Sequence, residues 1–347
     1  MNLDAIFDRI VVPQRQTGGG ASFAARPLPT LPAYLLGKDD EGRACLLIET
    51  KTRADGGKLA PIRLNNLDAE FNRKCLVVDS ADQSTLETYT VIRCRASDRD
   101  TIHYFLWICE TLVRIVGNQP NAESLKSIVT RLASIFQQLD NPPTQPVVGL
   151  FGELFVIFSS SDTEHALSLW RLDPTSRFDF AGARIRLEVK ATSARVRSHM
   201  FSYDQCNPPS GTMPIVASLL TEITSSGVAL RTLIDAIVNR IGDPNLILKL
   251  QEGVASTLGS SLQTTIETKF DMELAQSSLR LFRMTDIPAI RGELESGVSD
   301  VHFKVDLSGC VAPPYSLLAA ETPEIMPLLP RADALPVPRL NSIVGHL

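Results

Sequence analysis

Two carboxylates and a lysine stand close together near the middle of the chain. Residues 184–191 read Arg-Ile-Arg-Leu-Glu-Val-Lys-Ala and alternate without a fault. As a strand they put Arg184, Arg186, Glu188 and Lys190 on one face and Ile185, Leu187, Val189 and Ala191 on the other. Upstream, Asp179 lies between Phe178 and Phe180, and Ala181-Gly-Ala183 supplies a turn, so an antiparallel hairpin would set Asp179 opposite or diagonal to Glu188. Such a donor set suits Mg²⁺, with Mn²⁺ as a substitute, because Mg²⁺ takes one or two carboxylates and keeps several waters, leaving room for substrate phosphate oxygens. The chemistry that fits is phosphodiester hydrolysis. An ion there would polarise the phosphate and acidify a water, while Lys190 positions that water or neutralises developing charge. The competing explanation of Glu-x-Lys on a polar strand face is plain surface.

Two further features bear on this choice. Glu153 is the only charged residue between Thr144 and Ser161, within the apolar run Val147–Phe158. A buried carboxylate there must be paired or bound. Its partner is either one of the arginines or the same cation, with Gly149 and Gly152 letting the helix approach the sheet closely. Second, residues 171–199 hold seven Lys/Arg (171, 177, 184, 186, 190, 195 and 197) against three acids. A solvated charged face is the usual meaning of such a run, but here it flanks the carboxylates and could track phosphates.

The elements that must position these residues can be read from periodicity. Residues 1–100 read as a β-rich module of turns and short strands, with a hairpin at Lys38–Gly42 and an irregular glycine-rich segment at 18–20. Residues 101–143 carry two amphipathic stripes of helical period that bridge this module to the rest of the chain. Residues 144–310 form an α/β pattern. It opens with a buried helix capped by Thr144, with Pro146 in its first turn, and runs on through strands near Trp170, 178–180, 184–191 and 213–220. Helices are expected at 228–241 and 244–258, and strands at 279–284 and 298–307. Residues 311–347, with seven prolines, read as loop or linker.

Bulk numbers narrow the class. Hydrophobic residues make up 44% and charged residues 21% of 347, a globular composition. The net charge of −5 means that any polyanion must be met by local basic charge. The 12-residue apolar run is too short to span a bilayer, and the N-terminus lacks a basic leader, so the expected compartment is the cytoplasm, without membrane association. Six cysteines at least 15 positions apart read as reduced thiols rather than zinc ligands.

Taken in order, Gly149-Leu-Phe-Gly-Glu-Leu154, Trp170, Phe178-Asp-Phe180, Glu188-Val-Lys-Ala-Thr192, Arg197-Ser-His-Met-Phe-Ser202 and Gln205 resemble the PD-(D/E)XK nuclease superfamily. More narrowly they resemble bacterial "PD-(D/E)XK motif proteins" found near DNA modification and phage-defence genes. The matching block covers about residues 145–206, and its one departure is Phe178 where the motif has proline. The resemblance implies an α/β (α+β) fold, with a restriction-endonuclease-like core whose mixed central β-sheet is flanked by helices. It implies a catalytic set of Glu153, Asp179, Glu188, Lys190 and Gln205, with Asp179, Glu188 and Glu153 as metal ligands. Arg184, Arg186, Arg195, Arg197, His199 and Ser202 are the expected DNA contacts; for His199 and Ser202 the alternative is hydrogen bonding at a strand end. The expected activity is that of a Mg²⁺-dependent DNA endonuclease in a restriction or anti-phage system, with DNA, other defence subunits and a second copy of the chain as partners. The alternative is a DNA-binding or scaffolding subunit that keeps the nuclease fold and works only within a larger complex.

Overall fold

The structure, a computed structural model, describes residues 3–13, 21–49, 60–79, 83–173, 175–208 and 211–328. Glycines 18–20 and the proline-rich stretch beyond 328 lie outside the described residues. The chain forms two compact units, residues 1–144 with 247–263 and residues 145–246 with 264–347.

The first unit opens with helix α1 (Leu3–Asp8), followed by strands β1 (Ala21–Leu28), β2 (Leu31–Asp39), β3 (Ala44–Glu49), β4 (Ile62–Arg63), β5 (Leu67–Val78) and β6 (Ser84–Cys94). Their order is β1-β2-β3-β6-β5-β4, and β1 also pairs in parallel with β5, so five strands close into a barrel. Alternate residues fill the interior, among them Phe23, Ala25, Cys45, Leu47, Cys75, Val77, Tyr89 and Val91. The predicted hairpin forms between β2 and β3: Gly42 has φ +80°, and the Asp39 carboxylate accepts from the Glu41 and Arg43 N–H groups. Helices α2 (Arg99–Val116) and α3 (Ala122–Leu139) come next. Asp98 caps the first, and Asn121 with Ser124 forms a capping box on the second. Residues 247–258 of a later helix complete this unit; Tyr104 donates to the Gln251 carbonyl, and Gln251 donates to Thr111.

The second unit begins with α4 (Val147–Ser159) and α5 (Thr163–Leu169), then β7 (Phe180–Ala181), β8 (Arg186–Thr192), β9 (Ser198–Ser202), α6 (Tyr203–Cys206), β10 (Ile215–Leu220), β11 (Ile223–Ala229) and α7 (Leu230–Val238). After α8 (Pro244–Leu258) and the short α9 (Leu262–Thr265) come β12 (Lys269–Phe270), α10 (Met272–Ser278), β13 (Arg280–Arg283), β14 (His302–Asp306) and α11 (Tyr315–Glu321). The central sheet has the order β13-β10-β8-β7, with β8 and β10 parallel and the two outer strands antiparallel. This is the mixed, helix-flanked sheet of an α+β nuclease-like fold. Helix α4 is buried nearly all round and packs on β8.

Several elements depart from the pattern read in the sequence. Thr144 does not cap α4: its N–H donates to the Thr257 carbonyl, and Pro146 takes the cap position without a side-chain bond. Trp170 ends helix α5 and keeps only a single bridge, to Phe180. The helix expected from Val228 starts at Leu230, because residues 223–229 pair with β12. The described part of the tail is not loop. Pro314 starts α11, a 3₁₀ turn spans Pro323–Leu328, and Leu318, Ile325 and Leu328 are buried. Among the described residues, no helix is long and apolar enough to cross a membrane.

Candidate active site

Strand β8 carries the centre of the site. The register Phe180↔Leu187 and Ala181↔Arg186, continued by one residue, sets Asp179 directly against Glu188. Asp179 is pinned from two sides, its carbonyl accepting from the Arg171 N–H at 2.8 Å and its Oδ2 accepting from the Val189 N–H at 2.7 Å. Glu188 is only 4% exposed, and its Oε1 lies 2.5 Å from Lys190 Nζ. The other oxygen, Oε2, is buried without a hydrogen-bond partner. Lys190 Nζ also lies 5.1 Å from the centre of the Phe201 ring.

Glu153 enters from α4. It is 7% exposed, and its two oxygens meet neutral N–H donors rather than an arginine. Gln145 Nε2 donates to Oε1 at 2.9 Å and the Trp170 indole N–H donates to Oε2 at 2.6 Å. Each oxygen of Glu153 thus accepts one hydrogen bond and keeps a lone pair, and the carboxylate borders Asp179 and Glu188. Gly152 brings α4 against Val189 and Ala191, as its spacing suggested, whereas Gly149 makes room for the Gln145 side chain.

The electrostatics follow from this crowding. Burial, then the Glu188 and Glu153 carboxylates, raise the Asp179 carboxyl well above the usual carboxylate range. Burial lifts Glu153 to about 7 against the pull of the Gln145 and Trp170 donors. Burial works against the Lys190 charge, but Glu188 and Asp179 outweigh it and hold the ammonium above its ordinary value. Among the described residues, no three His, Cys, Asp or Glu side chains are gathered so that they could hold a metal ion by themselves. Any divalent ion here would rest on fewer carboxylates, as Mg²⁺ commonly does.

A raised carboxyl has a definite sign for stability. The folded protein keeps a proton on Glu153 up to about pH 7, whereas the unfolded chain releases it near 4.5. This favourable contribution is therefore full below 4.5 and is lost as pH rises through about 7, a change on the order of 3 kcal/mol. Glu153→Gln keeps a neutral group in place, and a turned Gln145 amide satisfies it. In metal-free buffer the variant is expected to gain on the wild type between pH 5 and pH 8, read from urea midpoints; parallel pH profiles for the two proteins would refute this.

The remaining predicted residues separate. Gln205 closes a capping box on α6: its Oε1 accepts from the Ser202 N–H, Ser202 Oγ accepts from the Gln205 N–H, and Gln205 Nε2 donates to the Arg177 carbonyl. Gln205 and Ser202 are engaged with each other and not with the carboxylates. His199 is buried, bonds Ser218 Oγ at 2.8 Å and is pushed down to about 4 by burial, with Lys190 and Arg197 adding to the effect. It is neutral at pH 7 and does not face solvent. Arg197 donates to Ser218 and to the Ser278 carbonyl, another internal role. Arg195 is exposed; the Arg184 side chain is 84% exposed, with Glu324 3.6 Å away. Arg186 is half-buried and donates to the Gly182 and Ile185 carbonyls. Sequence reasoning missed Gln145 as a partner of Glu153, and it noted Trp170 without a role. The usable signal was the isolation of Glu153 in an apolar run, which demanded N–H donors nearby.

A family model described as "Putative PD-(D/E)XK family member, (DUF4420)" matches residues 15–308. No curated protein and no solved structure matches the chain. The matched span holds both the barrel and the Asp179–Glu188–Lys190 centre, and the chain belongs to this PD-(D/E)XK family.

Proposed function

We propose that the protein is a metal-dependent DNA endonuclease that hydrolyses phosphodiester bonds within a bacterial restriction or anti-phage system, its N-terminal unit serving recognition or docking. The observation that carries this reading is the buried Glu188 carboxylate, which has one oxygen on Lys190 and the other unpartnered beside a second carboxylate. An orphaned buried oxygen is costly unless a cation or donor meets it. Asp179 and Glu188 are the residues that would hold Mg²⁺ or Mn²⁺; the bound ion supplies polarisation of a phosphate oxygen and a more acidic water. The chain's own groups set the rest. The Val189 N–H fixes the Asp179 carboxylate, and Trp170 and Gln145 hold Glu153 behind it. Lys190 stays cationic through neutral pH, ready to orient a water and to offset charge that builds on phosphate.

The test is supercoiled plasmid incubated with the full chain and Mg²⁺ or Mn²⁺, beside Asp179→Ala. Nicked or linear product from the wild type, lost at least a hundredfold in the variant, is expected. The alternative is a DNA-binding or scaffolding subunit that keeps the nuclease fold and works only within a larger complex. Wild-type protein that binds DNA but leaves it intact, even with the products of neighbouring genes, would replace the first reading by the second.

A further inference from the structure

The basic residues of segment 171–199 do not spread evenly over the surface. Arg171, Arg177 and Arg186 line one recess of about 380 Å³, together with Ser176, Thr212 and Phe178. None of the described residues lining it is acidic. Arg171 donates to the Ala181 carbonyl, Arg186 uses a single nitrogen on two turn carbonyls, and the Arg177 guanidinium lies 3.9 Å from the Asp204 carboxylate. Three guanidinium groups therefore share a concave surface, and among the described residues no carboxylate lies at hydrogen-bond distance from them. Ser176 adds a hydroxyl. Guanidinium forks with hydroxyl donors match the oxygens of a phosphate.

Position ties the recess to the carboxylates. Arg186 lies two residues before Glu188 on β8, on the same side of the strand and about 7 Å away along it. Ala181, opposite Arg186 in the hairpin, is two residues after Asp179 and also lines the recess. Arg186 and Ala181 thus place the recess on the same hairpin that carries Asp179 and Glu188.

We infer that this recess binds a single phosphate of the substrate strand, next to the one that is cut, through Arg171, Arg177 and Arg186. The inference rests on the nuclease reading for its substrate and deepens it: the strand is held by one neighbouring phosphate as well as at the reacting one. That phosphate is either an internal diester or a 5′-terminal group, and the same donors serve both.

Binding separates the possibilities without relying on cleavage. A 20-base-pair duplex carrying a 5′-hydroxyl or a 5′-phosphate is titrated with the full chain in EDTA across a salt series, and fluorescence anisotropy gives the affinity. Arg177→Ala is the mildest variant, since its nearest charged neighbour is 3.9 Å away; Arg171→Gln and the double variant complete the set. Each single variant is expected to weaken binding about tenfold and to lower the slope of log affinity against log salt by about 1. The double variant should lower the slope by about 1 as well, because both arginines meet one phosphate. A slope that falls by about 2 in the double variant means separate surface contacts and overturns the inference, as do unchanged slopes. A preference for the 5′-phosphate duplex that Arg177→Ala abolishes assigns the recess to a terminal phosphate; equal binding of both duplexes with the expected slopes assigns it to an internal diester. Wild-type protein that binds with these slopes and never cuts would sink the nuclease reading while leaving the recess standing.

Discussion

Lys190→Met is expected to lower the cleavage rate by about 10³-fold and to destabilise the second unit by about 3 kcal/mol at pH 8. The stability loss comes from Glu188, not from the lysine. With the ammonium gone, a carboxylate that is 4% exposed and already has one unpartnered oxygen loses its remaining counter-charge. Glu188→Gln is expected to destabilise through the converse, a buried ammonium without its partner. The pair Glu188→Gln/Lys190→Met removes both charges together and should return most of the stability, while cleavage stays lost. Urea unfolding at pH 8 with single-turnover cleavage of plasmid checks all four proteins. Single variants as stable as the wild type at pH 8, or a double variant as unstable as the sum of the singles, would show that the two groups are not a buried pair.

The hairpin that brings Asp179 to Glu188 was legible because a strand alternates with period 2, although the strand begins at Arg186 and Arg184 lies in the turn. The turn falls at 182–185 rather than 181–183, closed by the Gly182 N–H donating to the Ile185 carbonyl, and the pairs Phe180↔Leu187 and Ala181↔Arg186, carried on by one residue, set Asp179 against Glu188. The outer residues were harder, for reasons that are physical. On β9 the usual order of polarity is reversed: Met200 is 52% exposed while His199 and Phe201 are buried. An imidazole bonded to Ser218 can occupy an interior position that a pattern of hydropathy assigns to water. Ser202-x-x-Gln205 carries the spacing of a capping box, and the structure forms it. The partners of Glu153 could not be read, since Gln145 and Trp170 reach it by hydrogen bonds across 8 and 17 residues. Long-range pairing was likewise hidden. Nothing local marks β1 as the parallel neighbour of β5, the contact that closes the barrel, and the apolar face of residues 247–258 announces burial without saying against which unit.

Gly152→Val is expected to destabilise the protein by about 3 kcal/mol and to reduce cleavage at least a hundredfold, although the residue touches no reacting group. A β-carbon at Gly152 would lie 2.6 Å from the Ala191 Cβ and 3.3 Å from Val189 Cγ1. Both neighbours belong to β8, the strand that bears Glu188 and Lys190, so added volume must push α4 away from the site or distort the strand. Glu153, the next residue on α4, would move with the helix and away from the Trp170 indole that donates to it at 2.6 Å. Gly152→Ala tests the same contact with less volume, because its gain of about 1 kcal/mol in helix propensity opposes the clash. The informative variant is the exchange Gly152→Ala/Ala191→Gly, which moves one methyl group from strand to helix and keeps the volume of the interface. It should recover the stability and the cleavage that Gly152→Ala alone loses. Failure of that exchange, with each single change simply adding to the other, would mean that Gly152 is needed for some reason other than the close approach of α4 to β8.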